Sequence, residues 1–368
     1  MHKTSAWPLA LLYAGLIVYA SLYPFTDWRD QGIAPWAYLW QSLPKYWTGF
    51  DVGINVVGYA PLGFLLAVSA LRTARSQHPV LLASVTAAAV SLAMEALQSY
   101  LPSRVPSNVD FVLNTAGGCL GAWLAALLEQ AGALARWSRI RGRWFVGDAR
   151  GGLVLLALWP VALLFPSVVP LGLGQVMERL EAALADMLHD TPFLDWLPVR
   201  DVELQPMVPS TELICVLLGG LIPCLLGFCI IRAIPRRMVF VVAVIALGIA
   251  ATTLSWALSY GPAHAWDWMS LQVQVGLGAA LVLGLVLSPM PRRGSAGLVL
   301  LCAGIYLSLL NQAPASPYFA QTLLEWEQGR FIRFHGTVQW LGWLWPYAAL
   351  GYGLALILGR DSDSRSEN

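Results

Sequence analysis

Apolar runs of about 20 residues, the length that crosses a bilayer as a helix, recur from one end of this chain to the other with only short polar stretches between them. A chain built this way has few folds open to it. In hydrocarbon every backbone N–H and C=O must be satisfied within the protein, and an α-helix does that within a single run. The runs predict about ten helices, at Trp7 to Tyr23, Val52 to Leu71, Val80 to Tyr100, Phe111 to Leu128, Leu153 to Val169, Leu213 to Ile231, Met238 to Leu258, Leu271 to Leu287, Leu298 to Leu310 and Val338 to Leu358. Composition agrees, because 57% of the 368 residues are hydrophobic and only 12% charged, against about a quarter charged in soluble domains. The expected class is all-α, a polytopic transmembrane helical bundle. Lys3 ahead of the first run and small residues near Tyr19 to Ser21 also fit a signal peptide; the segment is read as a helix.

The 22 Lys and Arg give an independent test of the count, since one helix more or fewer would invert every later loop. With the N terminus inside, about 15 fall on the inner side, among them Arg72, Arg136, Arg139, Arg141, Arg143, Arg150, Arg232, Arg236, Arg237, Arg292 and Arg293. The outer side receives about 7: Arg29, Lys45, Arg104, Arg179, Arg200, Arg330 and Arg333. Both termini are therefore expected in the cytoplasm. The chain divides into a four-helix domain over 1–135, a basic cytoplasmic linker over 136–152, a six-helix extension over 153–358 and a polar tail over 359–368. A net charge of +1 and the absence of a basic patch interleaved with aromatics exclude a nucleic-acid partner. The five cysteines all lie in apolar runs, with no histidine at zinc spacing, and read as small core residues.

Polar side chains are costly in such a chain, so their positions carry information. In "MEALQSYLPSRVPSNVDFVLNTAGG", Met94 to Gly118, Glu95 and Gln98 share a face near the end of the third helix, and Arg104 lies in the short outer loop. Asp110 opens the fourth helix, with Asn114 one turn deeper, while Pro102, Pro106, Ser107 and Asn108 supply turn and cap chemistry. The second helix opens with Asp51 and Asn55 at the same i, i+4 spacing. Two D-x-x-x-N motifs at equal depth suggest tandem hairpins related by an axis along the membrane normal. Gly53, Gly58, Gly63, Gly117, Gly118 and Gly121 would let those helices approach closely, and Pro61 would kink the second. Capping and interhelical hydrogen bonding account for part of this pattern. Glu95 asks for more, since a carboxylate in a helix must be paired or neutralised; Arg104 is its nearest candidate partner, in a purely structural pair or one that faces a ligand.

These segments, with "SLYPF", "DVGINVVGYAPLG" and "VDFVLNTAGGCLGA", resemble the VanZ-like family of bacterial membrane proteins over about Ser21 to Trp123. The resemblance implies a cell-membrane protein, in a family whose founding member is associated with resistance to a lipidated glycopeptide antibiotic. Carried over by position, its characteristic polar residues are Asp51, Asn55, Glu95, Gln98, Arg104, Asp110 and Asn114. It supplies no catalytic assignment, and this chain continues for more than half its length beyond Trp123.

In the extension, an outer segment at about 174–190, "QVMERLEAALADMLHD", is amphipathic and reads as a surface helix that packs on the bundle or gates a ligand. Trp36, Trp40 and Trp47 in the first outer loop suit an interfacial belt better than a sugar-stacking platform. "ALSYGPAHAWDWMSLQVQVGLG" echoes the Ala96 to Gly118 turn, with Asp267 opening the eighth helix and Leu271 in the asparagine's place. Arg333, His335 and Gln339 gather at the mouth of the tenth helix as a further candidate group; no metal or cofactor site is expected, because neither His335 nor His264 has a second ligand at i, i+4 spacing.

Three functional classes compete. One is a binding or protective membrane protein whose outward-facing polar site, lined by the seven residues above, receives a lipid-linked or lipoglycopeptide head group. Another is an enzyme on such a substrate with Glu95 or Asp110 as acid or base, disfavoured for want of a nucleophile with an adjacent base. The third is a transporter or flippase, which the one-sided clustering of polar residues disfavours. Membrane lipids are expected partners in every case, and the oligomeric state is left open.

Overall fold

The computed structural model describes residues 6–23, 25, 27–42, 49–73, 76–165, 167–194, 207–313 and 332–359, with the side chains of 50, 51 and 332–337 outside that description. Lys3, Lys45, Trp47, Arg75, Arg200 and Arg330 therefore lie outside the described residues, as does the side chain of Asp51. The described residues are all-helical, joined by turns and two short 3-10 segments, Ala37–Trp40 and Pro262–His264. Among the described residues seven helices are long and apolar enough to cross a membrane, and Ala6–Leu22, Arg150–Ala162 and Leu271–Leu287 are apolar but shorter. The chain forms two compact units, Met1–Arg141 and Gly142–Asn368.

The first unit holds α1 (Ala6–Leu22), α2 (Gly49–Thr73), α3 (Pro79–Gln98) and α4 (Asn108–Gln130). Glycine decides how α2 and α4 pack. A Cβ on Gly117 or Gly121 would strike the backbone of Val56 or Ala60, and one on Gly63 would strike the carbonyl of Gly118. The contacts advance four residues together along both helices, so α2 and α4 run parallel and touch backbone to backbone, as small-residue faces allow. Gly118 also admits Ala87 of α3. Gly53 and Gly58, expected on the same seam, instead have open space where a side chain would project. Ile17, Leu22, Tyr59, Leu62, Ala87, Met94 and Leu101 form the apolar core toward the α1 side.

The first part of the basic stretch expected as a linker is helical: α5 (Ala133–Trp144) buries no residue and carries Arg136, Arg139, Arg141 and Arg143. The sequence pass missed it because its apolar residues, Leu134, Trp137, Ile140 and Trp144, are too few for a hydropathy scan.

The second unit comprises α6 (Arg150–Ala162), α7 (Met177–Leu188), α8 (Pro209–Ile230), α9 (Ile234–Tyr260), α10 (Leu271–Leu287), α11 (Arg292–Leu310) and α12 (Ile332–Leu358). α8 is apolar on all sides and buried almost throughout from Cys215 to Ile230, as such a helix must be. The fifth expected helix is shorter than its apolar run. α6 stops at Ala162, and Val169, Leu171 and Leu173 continue as buried non-helical chain. That chain is tolerated because its polar backbone is answered by protein. The Tyr306 hydroxyl donates to the Leu171 carbonyl at 2.6 Å and accepts from the Leu173 N–H at 2.5 Å. Gly174 N–H donates to the Gly342 carbonyl at 2.8 Å. Asn311 accepts from the Val176 and Met177 N–H groups at 3.0 Å each, holding the start of the amphipathic α7.

Candidate functional site

The polar residues of the first unit assemble around the start of α4. Ser107 is its N-cap, its hydroxyl accepting from the Asp110 N–H at 3.3 Å. In an ordinary capping box the acid at Asp110's position would return the favour by accepting the cap residue's own N–H. Here Glu95 takes that N–H instead, through Oε2 at 2.8 Å. Asp110 is thereby released to bond across the helix seam, where its Oδ1 accepts from Asn55 Nδ2 at 2.8 Å. One carboxylate from α3 does the capping, and the helix's own carboxylate ties α4 to α2.

Glu95 is only 3% exposed. Below it on the same face of α3, one turn earlier, Ser91 accepts from Asn114 Nδ2 at 3.1 Å. Asn114 is 5% exposed, and its amide oxygen has no hydrogen-bond partner. The Tyr59 hydroxyl lies beside Ser91 without a bond of ordinary geometry, and the Thr115 hydroxyl is also buried and unpartnered. Tyr38 of the Ala37–Trp40 3-10 turn is buried and donates to the Leu92 carbonyl, one turn before Glu95, at 3.4 Å. Burial foremost, and the nearby Glu95 charge after it, push the Tyr38 phenol up to about 12. A carboxylate, an amide oxygen and four hydroxyls thus occupy neighbouring turns of α2, α3, α4 and the Ala37–Trp40 3-10 segment.

The remaining candidates serve a different task. Gln98 donates to the Ser21 carbonyl at 3.0 Å. The Arg104 guanidinium donates to the Tyr23 carbonyl at 2.8 and 3.2 Å and to Ala20 at 3.3 Å. Those carbonyls end α1, where a cation meets both unsatisfied acceptors and the negative end of the helix dipole. Arg104, expected opposite Glu95, turns these hydrogen bonds to α1. The two asparagines also part company: Asn55 spans α2 to α4, whereas Asn114 turns to α3, so the paired motifs are not used alike. Residues on either side of the Ala37–Trp40 turn are tied to this end, Gln31 donating to the Ser99 carbonyl at 2.7 Å and Asn108 donating to the Gln41 carbonyl at 2.7 Å. Tyr38, Tyr59, Ser91 and Thr115 went unremarked in the sequence, where hydroxyls inside apolar runs look like ordinary helix residues. The one available signal was Ser91, a turn before Glu95 on its face.

Among the secondary candidates, Asp267 does not open its helix. Ser270 is the N-cap of α10, accepting from the Val273 N–H at 3.3 Å, while Asp267 sits in the preceding turn with Oδ2 at 2.7 Å from His264 Nδ1. Gln339 is buried at 6% exposure, and the side chains of Arg333 and His335 lie outside the described residues. Trp36 and Trp40 are exposed.

Long apolar helices packed through glycine faces, with costly polar groups held near helix ends, define a multi-pass membrane protein. Its N-terminal part is VanZ-like: the family model described as VanZ/LLP1 matches residues 5–129 of the 368-residue chain. No curated protein matches the chain, and no solved structure does.

Proposed function

We propose that this is a VanZ-like protein of the bacterial cytoplasmic membrane, both termini inside, that binds a polar or lipid-linked head group at the outward-facing end of its first unit. In this reading it acts on the cell envelope and alters susceptibility to glycopeptide antibiotics. The observation that carries the reading is the Asn114 amide oxygen, buried without a partner one turn below the Glu95 face. An unmet buried acceptor costs about 1 to 3 kcal/mol, which a ligand's hydrogen-bond donors would recover. Glu95, Asn114, Tyr59 and Thr115 form the inner wall, Asn55 and Asp110 fix the helices that carry it, Asp51 is assigned to the same site by its motif, and Gln98 and Arg104 hold α1 against its rim. Binding needs only preorganised partners, and the group of side chains contains no nucleophile paired with a base, which favours a receptor over an enzyme. The test is Glu95→Gln in cells, which should abolish the envelope phenotype at unchanged expression; full activity would leave Glu95 a structural role alone. Turnover of labelled lipid-linked envelope precursor by the purified protein would establish an enzyme instead, and head-group flux into sealed vesicles a transporter.

A further inference from the structure

At one end of the second unit, three connections are laced together around a group of arginines. The chain before α6 pairs with the end of α8 through an antiparallel bridge between Phe145 and Ile231, with Val146 N–H donating to Ile230 at 2.9 Å and Arg232 N–H to Trp144 at 3.0 Å. Arg237, 8% exposed, draws in the turn after α10 by donating to the Ser288 and Met290 carbonyls at 3.0 and 2.7 Å. Arg292 pairs with Asp148 at 2.5 Å, which brings the first residue of α11 beside the chain that enters α6 at Arg150. Neither α6 nor α11 has a side-chain cap, so both present helix N-terminal N–H groups here.

The donors at this junction outnumber their acceptors. Arg150 Nε and Arg292 Nε are buried without a hydrogen-bond partner, and the buried Tyr352 hydroxyl, beside the Gly152 backbone, has no acceptor for its own proton. Tyr352 lies against Gly151 and Gly152 in the first turn of α6 and within electrostatic reach of Arg292 and Asp148. Three unmet buried donors of which two are cationic, beside two uncapped helix starts, ask for an anion with several acceptor oxygens. The spans α8, α9 and α11 begin or end at this junction, so it stands at head-group depth, where a basic pocket between helices meets lipid phosphate.

We infer that the junction of Arg150, Arg292 and Tyr352 is a binding site for the phosphate of an anionic phospholipid head group. It is separate from the head-group site proposed for the first unit. Asp148 competes with the phosphate for Arg292, so the site tightens when that carboxylate is removed.

The test is a melting series on the purified full-length protein in neutral detergent, with phosphatidylglycerol, phosphatidylcholine or inorganic phosphate added. Phosphatidylglycerol should raise the melting temperature with a saturable dose dependence, and phosphatidylcholine and millimolar phosphate should not. Arg150→Gln should weaken the apparent affinity for phosphatidylglycerol about tenfold and Tyr352→Phe about threefold, each melting near the parent temperature without lipid. Asp148→Asn should bind phosphatidylglycerol more tightly than the parent. Equal stabilisation by the two lipids, or unchanged affinity in both Arg150→Gln and Tyr352→Phe, would overturn the site. Phosphate alone matching phosphatidylglycerol would overturn its assignment to a lipid.

Discussion

Asn55 on α2 donates to Asp110 on α4 at 2.8 Å, and it does so because Glu95 of α3 has taken the backbone N–H that Asp110 would otherwise accept. Three helices are thereby tied at a single helix cap. Removing any one of these side chains should be felt by the other two.

That coupling is measurable. Asn55→Leu and Glu95→Gln, each melted in detergent and then combined, should give an interaction free energy of about 0.5 to 3 kcal/mol. Additive losses would mean that the two bonds form independently.

The parallel α2 and α4 pair rests on glycine. Gly121→Val places side-chain atoms in the backbone of Ala60 and should cost at least the roughly 1 to 3 kcal/mol typical of overpacking, seen as a lowered melting temperature. Gly58→Ala meets open space and should be neutral or stabilising by about 0.5 to 1 kcal/mol, as expected for Gly to Ala in a helix. A circular-dichroism melt of each variant separates the two outcomes.

Tyr38 predicts an alkaline signature. Its phenol is raised from 10.0 to about 12 in the folded protein. An unfolded chain releases that proton near pH 10 and the folded one later, so the stabilising contribution is constant below pH 10 and declines as pH rises from 10 to 12. The difference in melting temperature between the parent and Tyr38→Phe should therefore be flat to pH 10 and change above it. A pH-independent difference would mean that Tyr38 ionises alike in both states.

Tyr306 should matter for stability and not for the proposed site. Tyr306→Phe removes the hydroxyl that the Leu171 carbonyl and Leu173 N–H share and leaves them only their 3.1 Å bond to each other, at a cost of about 1 to 3 kcal/mol in all. The melting temperature should fall while head-group binding, measured below the transition, is retained.

Hydropathy made most of the helices legible, because a membrane leaves the backbone little choice. It misplaced the end of α6, where Val169, Leu171 and Leu173 are apolar and buried yet non-helical, since a distant hydroxyl on Tyr306 satisfies backbone there. It passed over α5, whose arginines mask an amphipathic helix. In the first unit the sequence pointed to Glu95, Asn55, Asp110 and Asn114 through cost and repetition, and all four sit near the start of α4 or the helices beside it. Which of them would bond to which was not legible. The exchange of roles between Glu95 and Asp110 depends on the angle at which α3 meets the α4 cap, and Arg104's turn toward α1 depends on where that helix ends. The hydroxyls of Tyr38, Tyr59 and Thr115 gain meaning only from burial among neighbours remote in sequence.

The most direct measurement is equilibrium retention of a labelled lipid-linked envelope precursor by the purified parent protein and by Asn114→Leu, which deletes the unmet buried acceptor. The parent should retain the precursor saturably at one per chain without converting it, and Asn114→Leu should retain it at least about tenfold more weakly while melting no lower than the parent. Equal retention by both proteins, or none by the parent, would contradict a ligand-binding role for the buried polar group around Glu95.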